Sequence, residues 1–462
     1  MSRECRFPTP RRPGRYAAAL TALAGALLGA TAASAQTASA QTASAQAASA
    51  QAASAATVAI TGGTVYPVSG PKIERGTVLI RDGRIVAVGA EVSIPADAVR
   101  VDASGRWVTP GLFHPATDLG LSLFQTGGQE ETRENVKQGD VDAAFNVGEG
   151  IYPAALPIGE ARLGGITTAL SAPVDGLIAG QAVVIDLAGP SVERMLVRSP
   201  AAMVIDLSEQ SKSAGGGSRA GVIQRLRDIL RDAQEYDRRR NDFRRAEIQP
   251  LAASEEDLEA LQPVLRGELP VYAIANRRSD IEAALRLARE FKLRLILWGG
   301  IEAWQLAPEL ARAGVPVVVN SRVDRPSFDA PGARLDNAAL LRRAGVTVLL
   351  SDEDPRQNFS SHFRTLRHAA GEAVRNGMAW DDALAAITLH PARAFGVADR
   401  YGSLEPGKVA NVVVWSGDPF EFASRAERVY IRGEEIPLKS RQTELLERYR
   451  TVPPPWTTGG GQ

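Results

Sequence analysis

Strand-like apolar runs alternate with amphipathic helical patterns through the middle of this chain, from about residue 111 to residue 396. Apolar residues recur at helical spacing in IEAALRLAREF (281–291) and AWQLAPELARAG (303–314). Strand–helix alternation over this length is typical of a parallel α/β core, and we predict that it closes into a (β/α)₈ barrel of the TIM type. The strand candidates are GITTALSA, AAMVIDL, LPVYAIA, LRLILWGG, VPVVVNS and VTVLLSD.

Two β-rich segments flank this core. TVAITGGTVYPVSG and GTVLIRDGRIVAVG, near the start, alternate apolar and polar residues and are broken by glycine and Asp-Gly turns. YGSLEPGKVANVVVWSGDPFE and AERVYIRGEEI, near the end, have the same character. We therefore predict a small β-sandwich formed by both chain ends, residues 57–110 and 401–438, with the barrel inserted as residues 111–400. Residues 439–462 would form a C-terminal helix and a Pro/Gly-rich tail.

The first 35 residues have the composition of a secretory signal peptide. Arginines precede an alanine-rich apolar stretch that ends in Ala33-Ser34-Ala35, which is a small-x-small cleavage motif. Residues 36–56 repeat ASAQT-like units without large apolar side chains, so we expect a flexible spacer. The pattern predicts a periplasmic or secreted protein with no membrane span after signal cleavage.

Composition argues against several classes of function. Lys+Arg and Asp+Glu both number 53, so no net charge favours nucleic acid as a partner. The one cysteine, Cys5, lies inside the predicted signal peptide. The mature chain would therefore have neither a disulfide nor thiolate chemistry.

Five short motifs occur in a fixed order along the chain. They are GRIVAVG (83–89), VTPGLF (108–113), GGITTAL (164–170), SDIEAALRLAREF (279–291) and GSLEPGKVANVVVWSGDP (402–419). In this order they resemble the amidohydrolase superfamily, particularly its periplasmic, imidazolonepropionase-like members, and the likeness extends over residues 57–420. The resemblance implies a barrel hydrolase of non-peptide C–N bonds, in which divalent ions lower the pKa of water from ~16 to ~7.

The metal ligands that the resemblance implies are largely absent at the first strand of the barrel. The family has Pro-Gly-Leu-Ile-Asp-x-His-x-His there, whereas this chain has PGLFHPATD (110–118). Ala116 and Asp118 therefore stand in place of two histidines, and His114 stands in place of the aspartate.

The later ligand positions depart from the family in the same way. The lysine or glutamate of strand 4 aligns with Val204, with Glu209 as a possible substitute. The usual His-Ala-His becomes IAN (274–276), and the usual Glu-His-Gly becomes WGG (298–300). Only Asp352, after strand 8, matches the family's aspartate, which takes the proton from water and passes it to the leaving nitrogen.

The barrel mouth thus contains one candidate catalytic residue, Asp352, which could act as a general base or simply accept backbone N–H bonds at the end of its strand. We expect no bound metal, and zinc would be retained only by a remodelled site. An all-oxygen set of Asp118, Asp352, Glu353 and Asp354 would suit Mg²⁺ or Ca²⁺ better than Zn²⁺. The candidates for a substrate pocket are His114, Asp118, Asn276 and Trp298.

The other three histidines are interpreted as solvated or hydrogen-bonded side chains. His362 and His368 follow strand 8, and their spacing of six residues does not place them on one helical face. His390, in TLHPARAFG, is interpreted as a cap or surface residue.

Two functional hypotheses follow. The first is an exported amidohydrolase-family hydrolase acting on C–N bonds other than peptide bonds, with a depleted or remodelled site. The alternative is a catalytically silent homologue that binds a small molecule or peptide in the barrel mouth, or that pairs with an active amidohydrolase as a partner subunit. A structural protein of the cell envelope is favoured only by the spacer and the tail.

Overall fold

The computed structural model describes residues 57–121, 140–245, 249, 251–323, 325–352 and 364–450. The predicted signal peptide, the spacer, the tail from residue 451, and three candidate site residues (Glu353, Asp354 and His362) lie outside the described residues. Within the described ranges, no helix combines the length and the apolar character that a membrane span requires.

Strands make up two sheets. In chain order they are β1 (Val58–Val65), β2 (Ile73–Arg81), β3 (Arg84–Gly89), β4 (Val99–Asp102), β5 (Trp107–Pro110), β6 (Leu112–Thr117), β7 (Ile166–Ser171), β8 (Ile178–Asp186), β9 (Leu196–Asp206), β10 (Val271–Ala275), β11 (Leu295–Gly299), β12 (Val317–Asn320), β13 (Val348–Ser351), β14 (Val412–Trp415), β15 (Ala426–Ile431) and β16 (Glu434–Glu435).

Helices follow most of the strands in the middle of the chain. They are α1 (Leu156–Leu163), α2 (Val192–Met195), α3 (Arg219–Arg244), α4 (Glu255–Ala260), α5 (Gln262–Leu265), α6 (Arg278–Phe291), α7 (Ala307–Ala313), α8 (Asn337–Arg343), α9 (Leu366–Arg375), α10 (Trp380–Ala386), α11 (Leu389–Ala394) and α12 (Arg441–Tyr449).

The first sheet joins the two ends of the chain. Its strand order is β16-β15-β14-β5-β1-β2-β3, with β4 also paired to β1. The antiparallel pair β5–β14, in which Val108 lies opposite Val414, is where the two ends meet. Apolar side chains from both ends, including Ile60, Val78 and Val412, share one core. Both chain ends therefore form one hydrogen-bonded sheet, where a β-sandwich was predicted.

The second sheet is the barrel that the strand–helix alternation predicts. Its order is β13-β12-β11-β10-β9-β8-β7-β6, and the end strands β13 and β6 lie beside one another, so that the barrel is nearly closed. The α/β TIM-like fold is thereby confirmed. Alternate residues of each strand point inward, and Val204, Tyr272, Ile296, Val318 and Leu349 belong to the apolar interior.

One strand of the barrel departs from a purely parallel arrangement. β8 runs antiparallel to both β7 and β9. The chain reverses tightly between β7 and β8, where Asp175 and Gly176 have φ angles of 65° and 86°. An Asp-Gly pair between two apolar runs is a hairpin signal, because both residues tolerate positive φ. The Asp-Gly pair within VDGL (174–177) is therefore the sequence signal for this reversal.

The long helix α3 is amphipathic, with one buried face and one charged face. Ser218 caps its first turn by accepting a hydrogen bond from the backbone N–H of Gly221 at 3.0 Å. The side chains at helical spacing along one face are buried: Val222, Leu226, Ile229, Ala233 and Tyr236. The opposite face is rich in arginine and acidic residues. This helix packs on the barrel wall and brings Arg219, its first residue, to the barrel mouth.

Candidate functional site at the barrel mouth

The carboxyl ends of the parallel strands meet at one end of the barrel, which is where active sites of such barrels are built. Four polar side chains reach this end from different strands. Asp118 follows β6, Asp206 ends β9, Asn276 follows β10, and Asp352 follows β13. All four side chains are buried. Burial makes their hydrogen-bond partners decisive for what each group can do chemically.

His114 and Asp352 form a buried pair across the seam of the barrel. Nε2 of His114, on β6, lies 2.6 Å from Oδ1 of Asp352, and neither side chain is exposed to solvent. The other ring nitrogen, Nδ1, accepts a hydrogen bond from the backbone N–H of Ala116 at 3.3 Å. These two contacts fit a neutral imidazole whose proton is on Nε2. The Nε2–H group then donates a hydrogen bond to the carboxylate.

The second carboxylate oxygen of Asp352 is also engaged. Oδ2 accepts a hydrogen bond from the hydroxyl of Thr365 at 2.5 Å, and the backbone carbonyl of Asp352 accepts from the amide of Asn320 at 3.1 Å. Burial alone would raise the pKa of Asp352, but the interactions with His114 and Thr365 outweigh it and lower the pKa below its usual value. Asp352 is therefore held as a carboxylate with both oxygens occupied.

The catalytic role of Asp352 stays a prediction. The contacts of its side chain bear on the alternative role, in which Asp352 only accepts backbone N–H bonds at the end of its strand. Asp352 accepts from two side chains, one on β6 and one just before α9, in addition to a backbone N–H group. The pair with His114 lies between β6 and β13, the two end strands of the sheet, and so links them at the seam.

Four of the positions at which the resemblance implies metal ligands are apolar, whereas Asp118, Asn276 and Asp352 are polar. Ala116, Val204, Ile274 and Trp298 belong to one buried cluster in the barrel interior. The three aliphatic side chains have no lone pairs, and an indole N–H only donates, so these residues do not fit a divalent cation. Across the described ranges, no three His, Cys, Asp or Glu side chains lie close enough together to hold one.

Trp298 packs instead against Tyr272. The two rings are stacked with centroids 4.9 Å apart and an interplanar angle of 2°. The Tyr272 hydroxyl donates to the backbone carbonyl of Pro115 at 3.0 Å, which connects β10 to β6 through the barrel interior. Burial raises the pKa of Tyr272 well above its usual value, so the hydroxyl keeps its proton. The predicted pocket residue Trp298 is thus part of the packed interior.

Asn276, also predicted as a pocket residue, belongs to a polar cluster beside the mouth. Its amide nitrogen donates to Oδ2 of Asp329 at 3.3 Å. Arg219 donates to the other oxygen of Asp329 at 2.7 Å, to Glu209 at 2.8 Å, and to Asp280. One guanidinium therefore binds three carboxylates, two from loops (Glu209 and Asp329) and one from the first turn of α6 (Asp280). Glu209, the suggested substitute for the strand 4 ligand, is half-exposed and paired with Arg219 and Lys212.

Asp206 is a site residue that sequence reasoning missed. It lies at the carboxyl end of β9, where its side chain accepts a hydrogen bond from the backbone N–H of Ser208 at 2.6 Å. Burial raises the pKa of Asp206 to about 6, and the nearby Asp329 and Asp175 add to the shift. The available signal was an acid directly after the apolar run AAMVI, at the end of a predicted strand.

Two further histidines that the structure describes, His368 and His390, make no printed hydrogen bond to the mouth residues above, although His368 lies near enough to Asp352 to interact with its charge. His390 was expected to be a cap or surface residue, but it is buried, and its Nδ1 lies 2.8 Å from the carbonyl of Val348. This contact joins α11 to the first residue of β13. His368 stacks on Phe422 with centroids 4.3 Å apart, and burial together with Arg367 lowers the pKa of His368 to about 4.

Comparison with known proteins connects this geometry to one family. The profile of the Amidohydrolase family matches residues 278–437. The imidazolonepropionase of Mesorhizobium japonicum is 24% identical over 408 residues, covering 78% of this chain and 90% of that protein. The solved structure of an amidohydrolase from Thermotoga maritima MSB8 superposes with a TM-score of 0.74 at 29% identity, covering 82% of this chain and 99% of that one. In profile, in sequence relatives and in fold, the chain is similar to the amidohydrolase superfamily.

The family profile matches the second half of the barrel and most of the last strands, and the whole-chain comparisons cover 78% and 82% of this chain. A further relative, the amidohydrolase tasK of Hapsidospora irregularis, is 26% identical over 395 residues. That similarity covers 78% of this chain but only 39% of tasK, so the chain spans well under half of that relative's length. The amidohydrolase fold is thus present together with the apolar substitutions at Ala116, Val204, Ile274 and Trp298.

Proposed function

We propose that this chain is an exported member of the amidohydrolase superfamily that acts by binding a small molecule or peptide at the barrel mouth, and not by metal-dependent hydrolysis. One observation carries the proposal. Both carboxylate oxygens of Asp352 are bonded to protein donors, His114 and Thr365. These bonds lower the pKa of Asp352, so its carboxylate is a weaker base toward water than one without such donors.

The chemistry of amide hydrolysis explains why this observation matters. Water becomes a nucleophile near neutral pH when a bound cation lowers its pKa. General-base catalysis alone contributes typically ~10²–10⁴-fold, which is small beside the acceleration that hydrolysis of an amide requires. The apolar side chains of Ala116, Val204 and Ile274 supply no ligand for such a cation.

Hydrolysis of a C–N bond remains the second candidate, and one observation favours it. Asp206 lies at the carboxyl end of β9, and its pKa of about 6 makes it a base near neutral pH. A group whose pKa lies near the working pH is suited to proton transfer. Any activity through this residue would require the unprotonated carboxylate. It would therefore rise with pH through about 6 and would be abolished in Asp206→Asn.

A combined binding and turnover screen separates the two candidates. The purified full chain is incubated with amides, dipeptides and lactams, with and without Zn²⁺, Mn²⁺ or Mg²⁺, and both product formation and the thermal midpoint Tm are measured. We expect some compounds to raise Tm, because a ligand that binds only the folded state stabilises it, and we expect no product above the protein-free rate. Turnover that disappears in Asp352→Asn would overturn the proposal.

The export part of the proposal is supported by the signal-like residues 1–35 and by the spacer that follows. Edman sequencing of the chain isolated from the periplasm or culture medium tests it, and we expect a mature N-terminus within residues 36–56. Affinity purification from the same fraction tests for a partner. Stoichiometric recovery of a metal-containing amidohydrolase would favour the partner-subunit form of the binding hypothesis.

A further inference from the structure

A cavity of about 450 Å³ lies at the end of the barrel opposite the mouth. Its wall includes Pro270, Arg294, Pro316 and Thr347, which directly precede β10, β11, β12 and β13. The cavity therefore opens at the amino ends of these four strands, far from the carboxyl ends that form the candidate site. Its volume is in the range of small-molecule binding sites.

Three arginines line this cavity and no carboxylate does within the described part of the chain. Arg289 comes from the last turn of α6, Arg294 precedes β11, and Arg393 lies near the end of α11. Arg294 makes only long contacts, 3.4 Å each, to the backbone carbonyls of Gly267 and Glu268. Arg289 and Arg393 have no hydrogen bond or ion pair to another described residue. Three guanidinium groups thus converge on one cavity without an acidic partner.

The rest of the wall is apolar. Leu285 and Ala288 of α6 line the cavity together with Leu295, Val315 and Pro316, and these side chains retain a small exposure there. A wall of this kind favours the apolar body of a ligand, while guanidinium groups bind carboxylates through paired N–H donors. An apolar wall beside a cationic rim therefore complements a molecule that has an apolar body and one anionic group.

We propose that this cavity is a second binding site, which takes a small amphipathic carboxylate: its apolar body against Leu285, Leu295 and Val315, and its carboxylate against Arg289 and Arg393. A neutral molecule of the same shape would leave the guanidinium groups unpaired, and a bare anion would leave the apolar wall in water. The ligand class follows from this complementarity and is independent of the function proposed for the mouth.

Calorimetric titration of the full chain with matched probes tests this site. The probes are phenylbutyrate, its alcohol phenylbutanol, its amine phenylbutylamine, and acetate. We expect phenylbutyrate to bind at least about tenfold more tightly than each of the other three, because it alone satisfies both the cationic rim and the apolar wall. Its affinity should fall as salt is added, since exposed charges are screened. Equal affinity for phenylbutanol would overturn the proposal.

Variants of the wall assign the binding to this cavity. Arg289→Gln and Arg393→Gln should each weaken phenylbutyrate binding about tenfold, and Ala313→Trp, which places an indole at the cavity wall, should abolish it. Arg286→Gln is the matched control, because Arg286 is exposed on the same helix α6 but does not line the cavity. Arg289, Ala313 and Arg393 lie at the exposed rim of the cavity. Their substitution should therefore leave the protein folded, as an unchanged Tm would show. Wild-type affinity in the Arg289, Arg393 and Ala313 variants would place the binding elsewhere and contradict the proposal.

Discussion

Nε2 of His114 lies 2.6 Å from Oδ1 of Asp352, and this fully buried contact joins β6 to the end of β13, the two end strands of the barrel sheet. The pair therefore has a structural consequence as well as a chemical one. The pair links the two end strands of the sheet at the mouth. In addition, the imidazole N–H of His114 directs the positive end of its dipole at the buried carboxylate of Asp352 and so stabilises its charge.

The first prediction concerns this pair. His114→Ala should lower the free energy of unfolding by about 3 kcal/mol, because it leaves the buried carboxylate of Asp352 with one donor removed. The double variant His114→Ala, Asp352→Ala should lose less than the sum of the two single losses, since the groups interact directly. Urea unfolding of all four proteins measures this coupling. Strict additivity would mean that the two side chains do not interact.

The second prediction concerns pH. The folded-state pKa of Asp206 is about 6, above its ordinary value of 3.8, so the folded protein holds this proton more tightly than the unfolded chain. The contribution of Asp206 is therefore most favourable below pH about 4 and declines by about 2–3 kcal/mol as the pH rises to about 6. Asp206→Asn keeps the acceptor for the Ser208 N–H but removes the titration. The stability of Asp206→Asn relative to the original chain should therefore increase between pH 4 and pH 7, as urea unfolding at the two values would measure. A pH-independent difference would contradict the raised pKa.

The third prediction concerns Arg219. Replacing it with methionine leaves Asp280 and Asp329 without their shared cation, and we expect a loss of about 2 kcal/mol in the free energy of unfolding. Arg227→Met is the matched control on the same helix, because Arg227 pairs only with Glu290 and both side chains are partly exposed. The control should cost less than about 1 kcal/mol. Equal losses would show that the three-carboxylate cluster is no stronger than an ordinary surface pair.

The fourth prediction concerns the interior of the barrel. Tyr272→Phe removes the hydroxyl that donates to the carbonyl of Pro115 and leaves that carbonyl buried without this donor. We expect a loss of about 1–2 kcal/mol, with the stacking on Trp298 retained. Tyr152→Phe is the control, because Tyr152 is 45% exposed. A Tm for Tyr272→Phe that equals that of the control would indicate that the contact across the interior contributes nothing.

Patterns within short segments predicted the fold well. The barrel strands and the joining of the two chain ends follow from periodicity and from motif order. The antiparallel course of β8 was not predicted, although Asp175-Gly176 between two apolar runs was a visible signal. Periodicity reports which face of a segment is buried, but it does not report the direction in which a buried strand runs.

The site was harder to predict because its contacts join distant residues. His114 and Asp352 were both identified as residues of the mouth, yet their direct bond spans 238 positions. Thr365, Arg219 and Asp329 carried no motif, and their roles come only from where the loops place them. His390 was misread for the same reason: the carbonyl of Val348 that it binds belongs to a strand 42 residues earlier.

Metal content is the most direct test of the central claim, that Asp352 is held by His114 and Thr365 while four of the ligand positions that the resemblance implies, Ala116, Val204, Ile274 and Trp298, carry apolar side chains. The purified full chain is equilibrated with excess Zn²⁺, desalted, and analysed by inductively coupled plasma mass spectrometry beside Asp352→Asn treated in the same way. We expect far less than one zinc per chain, and the same low value in both proteins. One or more zinc ions per chain, lost in Asp352→Asn, would contradict the account.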